Sequence, residues 1–243
     1  MLTVHGKLAC RECFNGTDDN SIKPHKKWKM INDPGAWGSS ESECLVLGFS
    51  KGATQAGIYE TGKFEDIAFA GMRKRLTIAL RLMGTLLNDE TVDQKISDPN
   101  SNISFGSLIR CSVSRIDDKA SNNKGHDVYS CTGPLIAKSF SEIPEVISRC
   151  SKKYLADLPA SIRVVFMLGN GDAYVNHCQQ LLRELFPRDF LQINSMSSEA
   201  DGRLWIHLAH PSGLNGHFNT WANTDLGSGL KRIAAYDAIV AAV

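Results

Sequence analysis

The sequence predicts an α/β fold: a mainly parallel sheet with helices on both faces. Three observations carry that prediction. Residues 44–49 and 162–168 are continuous apolar runs, the pattern of strands buried on both faces. Segments with helical apolar spacing alternate with such runs, as in βαβ units. The runs break into loops of Gly, Pro and small polar residues, where open α/β sheets bind ligands. A chain of 243 residues suffices for one domain with a full core, and no interdomain linker or internal repeat interrupts it, so 1–243 reads as a single domain.

Residues 1–42 are polar and turn-rich, with Lys23, Lys26, Lys27 and Lys29 close together, and read as an N-terminal arm. The strand at 44–49 leads into a Gly-containing loop over 50–63. Ile67, Met72, Leu76, Leu80 and Met83 then recur at helical spacing, which predicts a helix over 64–87. A polar loop, 89–102, precedes a second strand over 103–113. Residues 115–134 are rich in Asp, Asn, Lys, Ser and Gly and read as an inserted loop. Pro144 opens a helix running to about 158. The strand at 162–168 ends at Gly169-Asn170-Gly171, and Asp172 is placed to cap a helix to about 186. Short strands follow near 190–194 and 204–209, and a last helix covers 229–243.

Composition excludes several classes. With 42% hydrophobic and 22% charged residues the chain is not disordered. No apolar run approaches the ~20 residues of a membrane span. Residues 1–8 lack the apolar core of a secretory signal, which predicts a cytoplasmic protein. A net charge of +1 confines any nucleic-acid contact to a local basic patch. Seven cysteines in a cytosolic chain do not form a disulfide framework. Cys10-x-x-Cys13 suits half of a metal or iron–sulfur site or a redox pair. The loop that follows it, where a redox motif needs a helix, favours metal or cluster binding.

Four further segments carry candidate chemistry. Gly48-Phe49-Ser50-Lys51-Gly52 lets backbone approach a ligand closely and presents N–H groups. Ile67-Ala68-Phe69-Ala70-Gly71 offers an aromatic face, and Arg73, Lys74 and Arg75 behind it suit phosphates. Phe105-Gly106-Ser107 leads through Arg110 to Cys111. His210-Pro211-Ser212-Gly213-Leu214-Asn215 closes a terminal apolar strand.

In this order the motifs resemble those of the uracil-DNA glycosylase superfamily, nearest its iron–sulfur branch, over most of residues 10–220. The resemblance implies a three-layer sandwich around a roughly four-stranded, mainly parallel sheet. It implies a monomer that binds DNA and hydrolyses the N-glycosidic bond of uracil or another damaged base held outside the stack. His210 is then the catalytic group that stabilises the departing base, with Ser50 positioning water. Phe49, Phe69 and Ser107 contact the base. Gly48, Lys51, Gly52, Arg73, Lys74, Arg75, Ser212 and Asn215 contact DNA and its phosphates. Cys10, Cys13, Cys111 and Cys150 match the branch's cluster cysteines, with Cys131 able to replace Cys111. Four thiolates suit a [4Fe–4S] cluster or a zinc ion. The chain departs from the superfamily at 49–51, which holds no carboxylate, amide or proline, and at Ser107, where the branch has Asn. Those departures favour an alternative: a DNA-binding or damage-recognition module that kept the pocket and lost hydrolysis.

Overall fold

A computed structural model describes residues 5–242; residues 1–4, at the head of the predicted arm and of the segment read as lacking a signal core, and 243, the end of the predicted last helix, lie outside the described residues. The first 42 residues are not an arm. They form β1 (Gly6–Lys7), β2 (Ser21–His25), β3 (Trp28–Ile31) and β4 (Gly35–Gly38). The predicted first strand is β5 (Cys44–Gly48). The predicted loop at 50–63 holds α1 (Ala53–Thr61). The predicted helix over 64–87 shortens to α2 (Arg73–Leu82), because Phe69 and Gly71 adopt left-handed backbone (φ 54° and 74°) that no helix continues through. The polar loop at 89–102 contains α3 (Val92–Ser97), started by a capping box between Thr91 and Gln94.

The predicted strand over 103–113 divides into β6 (Ile103–Ser107) and β7 (Ser112–Ile116), which enter different sheets. The predicted insertion at 115–134 holds α4 (Asp118–Lys124) and β8 (Tyr129–Ser130), and runs into α5 (Gly133–Ala137). Next come α6 (Ser139–Glu142), α7 (Pro144–Tyr154), β9 (Val164–Leu168) and α8 (Asp172–Leu185). The N-cap of α8 is Gly171; Asp172 lies inside the first turn and pairs with Lys231 at 2.6 Å instead of capping. β10 (Leu191–Gln192), β11 (Ser197–Ala200), β12 (Arg203–Leu208), α9 (Phe218–Asn223) and α10 (Ser228–Ala241) complete the chain.

These strands correct the predicted sheet. The main sheet has eight strands in the order β1-β4-β6-β5-β9-β12-β11-β10, and a second sheet has four, β2-β3-β7-β8. Only the centre of the large sheet is parallel: β5 with β6 and β9, and β9 with β12. Antiparallel strands extend both edges, and the small sheet is antiparallel throughout. The fold is therefore mixed α/β, not a mainly parallel four-stranded sandwich. The extra strands are short, half-exposed or both, so they lack the long apolar runs that mark the centre.

Alternation along the central strands divides the core in two. Val46, Ile103, Phe105, Phe166, Ile206 and Leu208 face α2, α3, α9 and α10, which bury Leu76, Leu80, Ile96, Trp221 and Ala235 there. Leu45, Leu47, Val165, Met167 and Trp205 face the other way, against α7, α8 and the small sheet's Trp28, Met30 and Val113. Among the described residues no helix is long and apolar enough to cross a membrane.

Candidate functional site

Two cavities flank the carboxyl end of β6. The first is a pocket enclosing about 330 Å³ of non-atom space, its mouth included. Gly48, Ser50, Phe69, Ser107 and His210 line it, joined by Trp37, Gln55, Met72 and Gly106. These residues span more than half the chain, yet the sheet brings them together: β5 and β6 end in register, with Gly48 opposite Ser107. Gly48 abuts Phe69: a Cβ on Gly48 would stand 3.4 Å from the Phe69 ring, an ordinary contact. Phe69 also packs edge-on against Phe105, with centroids 5.9 Å apart.

His210 follows β12 and is held by its own loop. The Ser212 N–H donates to His210 Nδ1 at 3.3 Å, and Asn215 Nδ2 donates to the His210 carbonyl at 2.8 Å. Burial pushes the imidazole pKa below its ordinary value, so the ring is neutral. With Nδ1 accepting, the neutral ring carries its proton on Nε2. Arg75 fixes the loop from α2: its Nη1 donates to the Ser212 carbonyl at 2.6 Å, and its guanidinium lies 5.2 Å from the Phe218 ring. Leu214, at the tip of this loop, is 90% exposed. Its residue type gave a signal, an apolar side chain between Gly213 and Asn215 in a polar loop.

Several predicted contacts stand elsewhere. Phe49 is one residue beyond Gly48, so alternation turns it to the other face, where it packs against Phe140 and Tyr174. Lys51 does line the pocket, but it is buried, with its ammonium on the Arg110 carbonyl and 3.5 Å from Asp33. It ties the β5–α1 loop to the segment after β6 and does not reach solvent. Arg73 is bound to the Ala68 and Glu65 carbonyls and to Asp93. Lys74 is exposed. Gly52 is the N-cap of α1, with no side-chain cap bond. Among the described residues no carboxylate lines the pocket. Asp33, the buried acid nearby, is engaged by the Ser112 N–H and hydroxyl, each at 2.6 Å.

The second cavity is a cleft of about 320 Å³ lined by Cys10, Cys13, Cys111 and Cys150, with Arg110, Arg149, Lys153, Glu12 and Tyr154. The Arg110 N–H donates to Cys150 Sγ at 3.2 Å. The buried Arg110 guanidinium lies 5.2 Å from the Tyr154 ring, and its Nε and Nη1 have no partner among the described residues. Burial pushes the thiols up, Cys150 to about 11 and Cys111 to about 12, so a cation is needed to make them thiolates. Among the described residues no three His, Cys, Asp or Glu side chains converge on a point that would hold one ion. Cys131 does not line this cleft; its thiol donates to the Val113 carbonyl at 2.8 Å and lies 3.7 Å from Ser50 Oγ.

No family model matches the chain, and no curated protein matches it.

Proposed function

We propose that the chain is a DNA N-glycosylase of the uracil-DNA glycosylase type, acting on a deaminated or damaged base drawn out of the stack. One observation carries this reading: Gly48, Phe69, Ser107 and His210, from four separate segments, line one pocket with an aromatic wall and few charges. Phe69 supplies the stacking face for the extruded base. The neutral His210 offers Nε2–H to a base carbonyl. As the C1′–N bond breaks, its electron pair moves onto the base, and this donor stabilises the charge that develops on the carbonyl oxygen. Water adds to C1′ and loses a proton to solvent, with the Ser50 hydroxyl placed to orient it. The exposed Leu214 beside the pocket suits a wedge that holds the duplex open, and Lys74 suits a phosphate contact.

Cys10, Cys13, Cys111 and Cys150 are the residues that hold a [4Fe–4S] cluster in this reading. When bound, the cluster supplies metal–thiolate bonds that staple the N-terminal segment to the end of β6 and to α7. A reducing cytoplasm, which keeps such thiols unpaired, suits the same reading.

A second reading, a recognition module without hydrolysis, is favoured by the lack of a carboxylate in the pocket lining. The deciding assay is single-turnover base release from oligonucleotides carrying uracil, hypoxanthine, xanthine or an oxidised pyrimidine, single- and double-stranded. Release that falls about 10²–10³-fold in His210→Ala supports the glycosylase, the range seen when one such donor is removed. Salt-sensitive DNA binding with no release from any substrate would leave the recognition module.

A further inference from the structure

Among the residues lining the pocket, the side-chain polar groups are almost all engaged within the protein. The Trp37 indole N–H donates to the Phe64 carbonyl at 2.9 Å. The Ser107 hydroxyl donates to the Ile109 carbonyl at 2.8 Å, so Ser107 offers the pocket only an acceptor. The Lys51 ammonium is turned to Asp33 and the Arg110 carbonyl. Ser50 faces the Lys51 carbonyl and Cys131. Gln55 is the exception. It lies in the first turns of α1, lines the pocket and is only 8% exposed. Among the described residues its amide has no hydrogen-bond partner. That amide is open to the pocket, and such a group stands out where so few other side-chain polar groups are free.

Resting on the glycosylase reading, we propose that Gln55 is the specificity-determining residue that reads the extruded base. A carboxamide presents a donor and an acceptor side by side. Turned one way it matches a ring nitrogen beside an amine, and turned the other way a lactam edge, a carbonyl beside a ring N–H, as deaminated bases carry. Ser107, able only to accept, selects the lactam edge, because it meets a ring N–H well and a ring nitrogen lone pair badly. His210 Nε2–H takes a carbonyl. Cytosine and adenine present a ring nitrogen lone pair and an exocyclic amine on that edge and leave Ser107 facing another acceptor. Gln55 thus supplies from α1 the amide that Ser107 cannot supply from β6.

The test separates recognition from hydrolysis. Oligonucleotides carry 2′-fluoro-2′-deoxyuridine or 2′-fluoro-2′-deoxycytidine, whose glycosidic bonds resist cleavage, and binding is measured for the wild type, Gln55→Leu and Gln55→Glu. Thermal melts establish which variants fold; Gln55→Glu keeps the shape of the side chain and decides if Gln55→Leu does not fold. The wild type is expected to prefer the uracil strand by about 10- to 100-fold, the discrimination a site gains by leaving buried polar groups unpaired with the wrong ligand. Both variants are expected to bring the two strands within about twofold of each other, the span of a few tenths of a kcal/mol. Wild-type preference that survives in both variants would overturn the role of Gln55 and leave the glycosylase reading standing. A wild type that neither prefers uracil nor releases any base would overturn both.

Discussion

The two cavities beside β6 enclose nearly equal space, about 320 and 330 Å³, but their walls differ in kind. The cysteine cleft is ringed by thiols and by Arg110, Arg149 and Lys153. In the pocket, the one lysine of the wall has its charge turned away and the histidine is neutral, so what faces the cavity is aromatic or uncharged polar surface. In the proposed reading the cleft takes a permanent anionic guest, and the pocket a transient, flat, neutral one recognised by hydrogen bonds. A thin partition separates them: Gly106 lines one cavity and Arg110 the other, and a Cβ on Gly106 would stand 1.5 Å from Arg110 Nη1.

The comparison can be broken from either side. The largest effect is expected at the cleft. Cys150→Ala should destabilise the protein by about 4 kcal/mol, as loss of a metal site does. That is a fall of about 8–16 °C in melting temperature for a domain of this size. Cys178→Ala, a thiol in plain core, should cost much less. Equal losses in anaerobic melts would remove the cleft's special status.

Acid should act through a third place. His207 is buried between the sheet and α8, with Nδ1 2.8 Å from the Gly169 carbonyl, and burial lowers its pKa to about 4. Between that value and the unfolded value near 6.5, the unfolded chain binds the extra proton and the folded chain does not. Stability from the neutral ring is thus complete above pH ~6.5 and is lost as pH falls toward 4, by about 3 kcal/mol in total. Urea denaturation across pH 7 to 4 should show this slope, and His207→Gln should flatten it.

Gly106→Ala tests the partition. Arg110 must move, at a cost of about 1–3 kcal/mol, and both binding of the uracil analogue and the cluster's spectrum should change together. A change in one alone would show that the cavities are independent. The smallest effect is expected from Lys74→Ala, which should reduce the dependence of log K on log salt by about one unit and spare base selectivity. Arg73→Ala should leave that slope unchanged, because its guanidinium is held by Ala68, Glu65 and Asp93.

The parallel centre of the sheet was legible because β5 and β9 are apolar runs and β12, although it carries Arg203 and His207, is mostly apolar and wholly buried. The edges were not. β1 has two residues, and β2 is half-exposed and carries Pro24, so neither has the period or the composition of a strand. This is why residues 1–42 read as an arm and the sheet as four-stranded. At the pocket, Ser107 and His210 stand at strand ends and Phe69 in the turn before α2, and the resemblance, rather than residue type alone, singled them out. Phe49 was singled out with them, although alternation from Val46 and Gly48 assigns it to the opposite face. Lys51 looked like a phosphate ligand because sequence does not reveal Asp33 folding beneath it. Gln55 was missed with its helix, since the glycines around α1 gave the segment the composition of a loop.

Phe69 has a consequence for the timing of recognition. It holds left-handed backbone at φ 54°, a region costing a bulky residue of order 1–3 kcal/mol, and its ring is 6% exposed. Burial of a phenylalanine outweighs that strain: truncation in a core costs about 3–5 kcal/mol. The ring is therefore immobilised when the chain folds and not when a ligand arrives. Under the glycosylase proposal, a base entering the pocket would meet a finished platform with no aromatic side chain to order, and the entropy lost on binding would fall on the nucleotide.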